Sequence, residues 1–467
     1  MSPQDFLGKL PSFDELLDHP RVRDATDRWN RSAAAARVRT AMSSFSKEAS
    51  RRAEAFAGAS PSELLDRFVN SLGQPTAPEA RGAINASGRL WGEDWAGPPL
   101  PGAAIEALHR AAGSPRLVEA PSLSAPVLCR LASAEACQAC NSPAAAVGLA
   151  IEQLAAGQGG VIVARSDVRD LPPGVKLAEE CERSGAPLVD VGDASGASVE
   201  EYLEAIERLK SDGARRPVVY RNLEPGVSVE RLSTSELATA IHKHGALLIE
   251  DLGGAPPCEG LPIGDTAHAF RSIESTIAAK ADLVVAYGAG LIGGPGCGLL
   301  VGSAGLIEEI AASPGARQQQ ADPLVDTALA ATLELFFEPN QLRFEHPLYE
   351  LIDAPIENLR TRAERLAPQI ATAAGIASAD AVELSAQDSG IPLGLSSWGI
   401  AVTAEQGADA LLQELSLGKH CLIAGTRQEA VLIDLRTVFA RQDAALLAAF
   451  GLEDPASENS AEDRSPA

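Results

Sequence analysis

The chain has 467 residues, with 39 Lys and Arg against 63 Asp and Glu, a formal charge of −24. Its length and 45% hydrophobic content supply two or three packed domains and exclude global disorder. The acidity argues against wrapping long stretches of nucleic acid, because neutralising phosphates needs clustered Lys and Arg.

Seven residues are Lys (Lys9, Lys47, Lys176, Lys210, Lys243, Lys280 and Lys419), so any chemistry that needs an amine has few candidates. No apolar run approaches the length of a membrane span. The start, Met1-Ser2-Pro3-Gln4-Asp5, lacks the basic and apolar regions of a secretory signal. Seven scattered Cys form an odd set that suits a reducing cytoplasm, so a cytoplasmic protein without a membrane segment is expected.

Residues 1–60 carry ten basic and eight acidic side chains and read as helices. Ser60-Pro61-Ser62-Glu63 fits a capping box with Pro at the first helical position. Leu64, Leu65, Phe68, Val69 and Leu72 then form an apolar stripe, and Gly73 is a stop. Gln74 to Pro78 reads as a linker. From residue 80, short apolar runs alternate with amphipathic stretches. Strands are expected at Val161–Ala164, Leu188–Val191, Val218–Tyr220, Leu247–Ile249, Leu283–Ala286 and Leu299–Val301, and helices near 143–156, 198–210, 233–244 and 266–280. Such alternation predicts an α/β fold with a mostly parallel sheet covered on both faces. A connecting helix is expected over 323–337, followed by a smaller α+β region over 345–450 with strands near Gly399–Thr403 and Ala430–Leu435. The expected domains are therefore 1–79 (helical), 80–322 (large α/β) and 323–452 (connecting helix and small α+β). A disordered acidic tail, 453–467, follows with five acids and one Arg.

Ligands of open α/β sheets bind beyond the C-terminal strand ends. Asp251, after Leu247–Glu250 and before Gly253-Gly254, stands at such an end. Its carboxylate could pair with a protonated ring nitrogen or a metal, or simply be a solvated strand end. Asn141-Ser142-Pro143 opens a helix whose free N–H groups could attract a phosphate, although most capped helices bind nothing. Tyr287 to Gly298 holds six glycines in twelve residues, which signals tight turns or close backbone approach. It matches neither a Walker loop nor a dinucleotide fingerprint. Cys137 and Cys140 have zinc-like spacing but no second Cys pair, and on a strand they point to opposite faces. His242 and His244 read as a solvated helix end, so no metal site is expected.

Several segments, in collinear order, resemble the bacterial selenocysteine synthase family, the L-seryl-tRNA(Sec) selenium transferases. Leu10-Pro11-Ser12, Asp14 and Leu16-Leu17 look like its N-terminal signature. Ile84-Asn85-Ala86-Ser87-Gly88 resembles "INATG", Asp251-Leu252-Gly253 "DLGSG", Leu291-Ile292-Gly293-Gly294-Pro295 "LLGGP", and Asp434-Leu435-Arg436-Thr437-Val438 "DLRTV". Ser397-Trp398 resembles part of "PSWAL". The resemblance implies a pyridoxal 5'-phosphate (PLP)-dependent transferase of fold type I with an N-terminal helical domain that contacts tRNA. It also implies assembly as homodimers or rings of dimers. Active members convert seryl-tRNA with selenium from selenophosphate. Asp251 would hold the pyridine nitrogen, and Asn141 and Ser142 would face the phosphate.

The departures lie in the chemistry. The family's "SGDKLLGGP" aligns without a gap on Tyr287 to Pro295, and its Schiff-base Lys position is Gly290. Glycine offers neither an amine nor a proton-transfer group. Lys280 and Lys243 precede their strands and are expected at the opposite end of the sheet from Asp251. The family's "HTNLGR" corresponds to Gly92–Gly97, its Arg-containing loop is deleted between about Leu117 and Leu128, and Asp193–Ser198 replaces another polar turn. A catalytically degenerate homologue is thus expected. The alternatives are an active transferase or lyase that uses PLP non-covalently or through another Lys, and a tRNA-binding or regulatory partner that uses Arg21, Arg23, Arg28, Arg31, Arg37, Arg39, Arg51 and Arg52.

Overall fold

The computed structural model describes residues 12–27, 30–51, 60–72, 82–90, 97–115, 121–157, 159–172, 174–223, 232–262, 270–385, 395–418 and 420–452. The expected linker at 74–78, the Gly92–Gly97 segment except Gly97 itself, and the acidic tail lie outside these residues. The chain divides into two compact units, Met1–Gly82 and Ala83–Ala467.

The first unit contains helices Phe13–Asp18, Pro20–Thr26, Arg31–Arg51 and Pro61–Leu72. The expected capping box forms at Ser60: its backbone N–H donates to Glu63 Oε2 at 2.7 Å, and the Glu63 N–H donates to Ser60 Oγ at 3.3 Å. A second box forms between Ser12 and Glu15. Leu64, Phe68 and Leu72 of the predicted stripe are buried with Leu16, Val22 and Val38, while Leu65 and Val69 pack at the margin.

The second unit holds fourteen described strands. The first seven are β1 (Ala83–Ala86), β2 (Ala136–Cys140), β3 (Val161–Ala164), β4 (Asp170–Leu171), β5 (Val175–Lys176), β6 (Leu188–Val191) and β7 (Val218–Asn222). They are followed by β8 (Leu247–Asp251), β9 (Leu283–Tyr287), β10 (Gly298–Gly302), β11 (Ile376–Leu384), β12 (Ser397–Ala404), β13 (Cys421–Arg427) and β14 (Ala430–Asp434). Seven form the large sheet, in the order β2-β10-β9-β8-β7-β3-β6. The pairs from β9 to β6 are parallel, while β10 runs antiparallel to both β9 and β2. The Leu299–Val301 run thus enters the sheet reversed, a direction that local pattern does not encode.

Alternate residues of the buried strands supply opposite faces. Val161, Val163, Val218, Tyr220 and Val285 pack with the helix Pro143–Leu154. Ile162, Val219 and Leu248 pack with helices Val199–Ser211 and Thr234–His242. The helix expected over 266–280 is confined to Ile273–Ala278, capped by Ser272, and 263–269 lie outside the described residues. Helix Pro323–Glu334, capped by Asp322, continues as a 3-10 turn Leu335–Phe337 over the predicted connecting span.

The smaller sheet has the order β1-β13-β14-β12-β11. The Ile84 segment, assigned by chain position to the start of the large sheet region, instead pairs in parallel with Cys421–Ala424. Arg436, just after β14, donates to the carbonyls of Leu351, Ile352, Ala354 and Ser396, and the Gly88 N–H donates to Thr437 Oγ1 at 3.2 Å. Two of the family-like motifs therefore meet in space as a structural clasp. Among the described residues, no helix is long and apolar enough to cross a membrane.

Candidate site at the C-terminal edge of the large sheet

Asp251 ends β8, flanked in register by Asn222 of β7 and Val285 of β9. It is completely buried. Tyr220 donates its hydroxyl to Asp251 Oδ2 at 2.7 Å, Tyr287 donates to the same oxygen at 3.2 Å, and the Gly253 N–H donates to Oδ1 at 2.9 Å. Burial pushes the Asp251 carboxyl above its usual range, and these three donors oppose the shift. Burial, followed by the Asp251 charge, drives the Tyr220 phenol well above its ordinary value. Asp251 is thus satisfied from within the protein, with both oxygens engaged.

Beside it, Gly290 opens a 3-10 turn, Gly290–Ile292, with φ +69°. A Cβ at this position would stand 2.7 Å from the Gly254 carbonyl oxygen and 2.9 Å from its carbon, with Gly254 Cα nearer still. The Leu291 N–H donates to that same carbonyl at 2.8 Å, and the Tyr287 N–H donates to Gly253 O at 2.9 Å. The glycine-rich segment is therefore a backbone-on-backbone junction. His346 donates from Nε2 to Ile292 O at 2.9 Å, and Tyr349 donates to Leu291 O at 2.9 Å, fixing the far side of the turn. The His346 ring occupies space that a Cβ at Gly293 would need.

At the helix start, Ser142 caps the Ala145 N–H at 3.1 Å, as its position predicts. The neighbouring donors are also committed. The Ala144 N–H donates to Pro172 O at 3.3 Å, the Asn141 N–H to Gln319 O at 2.7 Å, and Asn141 Nδ2 to Gln318 O at 3.3 Å. Pro172 lies in the turn of the β4–β5 ribbon, which closes over this helix end.

Three of the four Lys whose side chains are described stand ahead of the large sheet's strands, away from this edge. Lys243 caps the C-terminal end of helix Thr234–His242, ahead of β8, and Lys280 precedes β9. Both therefore lie at the N-terminal ends of their strands. Lys210 ends a helix ahead of β7, whereas Lys176 is exposed on β5, in the ribbon whose turn closes over the start of helix Pro143–Leu154.

On the other face of the same strands, Arg221 Nη1 lies 3.3 Å from Glu250 Oε1, and Thr234 donates to Glu250 Oε2 at 2.8 Å. Burial raises the Glu250 pKa, and Arg221 opposes it. This is a buried structural pair. Cys137 and Cys140 pack into different cores on opposite faces of β2. His242 pairs with Asp282 and His244 with Glu207, each at 2.8 Å, at the half-exposed N-terminal end of the sheet.

Sequence reasoning singled out Asp251, Gly290, Asn141 and Ser142, and it raised Tyr287 as a filling side chain. It did not find Tyr220, Gly254 or Pro172. Tyr220 carries one usable signal, a hydroxyl on the β7 face adjacent to Asp251. PLP, the cofactor that the resemblance implies, does not fit the residues present. Two phenols already occupy Oδ2 of the acidic partner for its ring nitrogen, the Asn141 and Ala144 N–H groups at the helix start are held by carbonyls and that of Ala145 by the Ser142 hydroxyl, and Lys210, Lys243 and Lys280 lie ahead of their strands.

The model of the L-seryl-tRNA selenium transferase family matches residues 119–439. The L-seryl-tRNA(Sec) selenium transferase of Rhizobium meliloti (strain 1021) is 26% identical over 457 residues, covering 92% of this chain and 94% of that protein. The enzyme of the same name from Moorella thermoacetica is 28% identical over 454 residues, covering 94% and 95%. Among solved structures, D-glucosaminate-6-phosphate ammonia-lyase matches with a TM-score of 0.57 at 17% identity, over 79% of this chain and 94% of that one. The architecture is that of the fold-type-I PLP-dependent transferases, and the chain belongs to the L-seryl-tRNA selenium transferase family.

Proposed function

We propose that this chain is a non-catalytic member of its family, which keeps the transferase fold without covalent PLP chemistry. The observation that carries this reading is the packing of Gly290 on the Gly254 backbone. Gly290 stands where the family motif places its Schiff-base Lys. Here the position lacks an amine and also lacks the space for a side chain. The two phenols on Asp251 and the Pro172 carbonyl at the helix start support the same reading from the other two anchor points. A chain of this kind works through what it binds, and we assign it an interaction or regulatory role in the cytoplasm.

The test is direct. Purified protein is incubated with PLP, reduced with borohydride, and followed by absorbance and peptide mass analysis. The expected result is no stoichiometric pyridoxyl-lysine at any of the seven Lys. A single stoichiometrically modified Lys, whose substitution also abolishes the visible absorbance band, would overturn the reading in favour of an active enzyme with a relocated amine.

A further inference from the structure

A cavity of about 570 Å³ lies against β2, the edge strand of the large sheet, with β10 and β9 between that strand and Asp251 on β8. Leu123, Cys137, Ala139, Ile307, Ala316 and Pro323 supply apolar walls. Hydrogen bonds hold these walls in place. The Ala321 N–H donates to Ala139 O at 3.1 Å, and the Cys137 thiol donates to Ala125 O at 3.5 Å. Leu123 and Arg317 line the cavity and are both exposed, so it opens to solvent.

Two charged residues line it, Asp326 and Arg317, and they differ in commitment. Asp326 accepts from the Leu123 and Ser124 N–H groups and from the Ser122 and Ser124 hydroxyls, so both of its oxygens are engaged. Arg317, in the last turn of helix Pro314–Gln319, has no hydrogen bond or ion pair among the described residues. A cation entering this space meets no uncommitted carboxylate, whereas an anion meets an unpaired guanidinium. Water suits the apolar walls poorly, because each molecule needs about two to four polar partners. The volume lies within the range of about 300–1,000 Å³ that small-molecule sites occupy.

We propose that this cavity binds a medium-chain aliphatic monocarboxylate, with its carboxylate on Arg317 and its chain against the walls of Leu123, Ile307 and Pro323. The inference rests on the cavity alone and stands whether or not the chain handles PLP. The guanidinium presents a planar fork of N–H donors that matches a carboxylate through two parallel bonds. The alkyl chain removes from water the side chain of Leu123, which is 55% exposed.

The experiment titrates octanoate, and separately octanol, into the full-length protein by isothermal titration calorimetry. The expected result is one site per chain, with octanoate bound about tenfold more tightly than octanol. In Arg317→Gln the octanoate affinity should fall to that of octanol, whose own binding stays as in the wild type. Ala311→Phe places a ring into the cavity from an exposed position at a helix end, and it should abolish binding of both probes. Thr327→Phe serves if that variant does not keep the wild-type circular dichroism. Octanol bound as tightly as octanoate, an octanoate affinity unchanged in Arg317→Gln, several octanoates per chain that persist in Ala311→Phe, or no octanoate binding at millimolar concentration would each overturn the proposal. A dimer that dissociates in these variants while octanoate does not bind would also overturn it, and would assign the face to a second copy of this chain.

Discussion

Gly290 has a positive φ and a neighbouring backbone within 3 Å of any Cβ it could carry. A non-glycine residue in such a conformation costs about 1–3 kcal/mol before the clash is counted. Gly254 cannot relieve the contact by rotating a side chain, because it has none. Gly290→Ala should therefore lower the urea midpoint by the equivalent of at least this cost, and Gly290→Lys should do so further without gaining PLP binding. If Gly290→Lys folds with wild-type stability and binds PLP, the turn is far more plastic than its hydrogen bonds indicate. At Asp251 the two phenols are ranked by geometry. The 2.7 Å bond from Tyr220 is the stronger, so Tyr220→Phe should cost about 2 kcal/mol and Tyr287→Phe, at 3.2 Å, about 1 kcal/mol. Equilibrium unfolding of both variants checks the order, and a reversed order would show that Tyr287 carries the carboxylate. Asp251 and Gly290 were legible in the sequence because each sits in a contiguous motif. Tyr220 and Pro172 were not, because each acts across a strand pairing or a ribbon turn that leaves no local periodicity.

The glycine-rich turn is held as an element by His346 and Tyr349, whose side chains reach its carbonyls. His346 is almost wholly buried, and burial lowers its pKa from 6.5 to about 4, against the bond to Ile292 O. A neutral ring is thus built into the fold. Because the folded pKa is depressed, the unfolded chain takes up the proton first as the pH falls. The contribution is fully present above pH 6.5, declines between 6.5 and about 4, and is gone below that. The span corresponds to about 3 kcal/mol. In His346→Gln the loss of stability across this window should be smaller than in the wild type by that order, measured as the difference between the two pH profiles. Parallel profiles would mean that the ring is solvated in solution. Elsewhere, elements were legible where burial is two-sided. The run at Val161–Ala164, buried throughout, has the bounds expected from the sequence. The strand Ile376–Leu384 escaped notice because its small and charged residues are half-exposed and give no clean alternation. The pairing of Ala83–Ala86 with Cys421–Ala424 joins ends of the chain that no local window contains.

Over the whole molecule the charge is divided unevenly. Residues 1–60 carry ten basic and eight acidic groups, a balance of +2, so the remainder sums to −26. Several of the helical unit's arginines are also engaged. Arg21 pairs with Asp66, Arg31 lies 3.5 Å from Asp18, Arg37 donates to Leu72 O at 3.0 Å, and Arg39 stacks over Phe13 at 5.1 Å. Exposed pairs of this kind are weak, about 0–1 kcal/mol each, so a polyanion could break them. The decisive quantity is the net field. A phosphate backbone gains by releasing counterions to a positive surface, and a chain at −24 supplies little of one beyond a Debye length of about 10 Å. The full-length protein is therefore expected to bind tRNA no more tightly than the non-specific range of about 10⁻⁴ to 10⁻⁶ M at physiological salt. Fluorescence anisotropy at two salt concentrations measures this. Submicromolar binding with a steep loss on adding salt would require several arginines to leave their present partners for phosphates, and a set of Arg→Gln substitutions at Arg21, Arg31 and Arg39 would then flatten the salt dependence. Binding unchanged by those substitutions would place the phosphate contacts away from these three arginines.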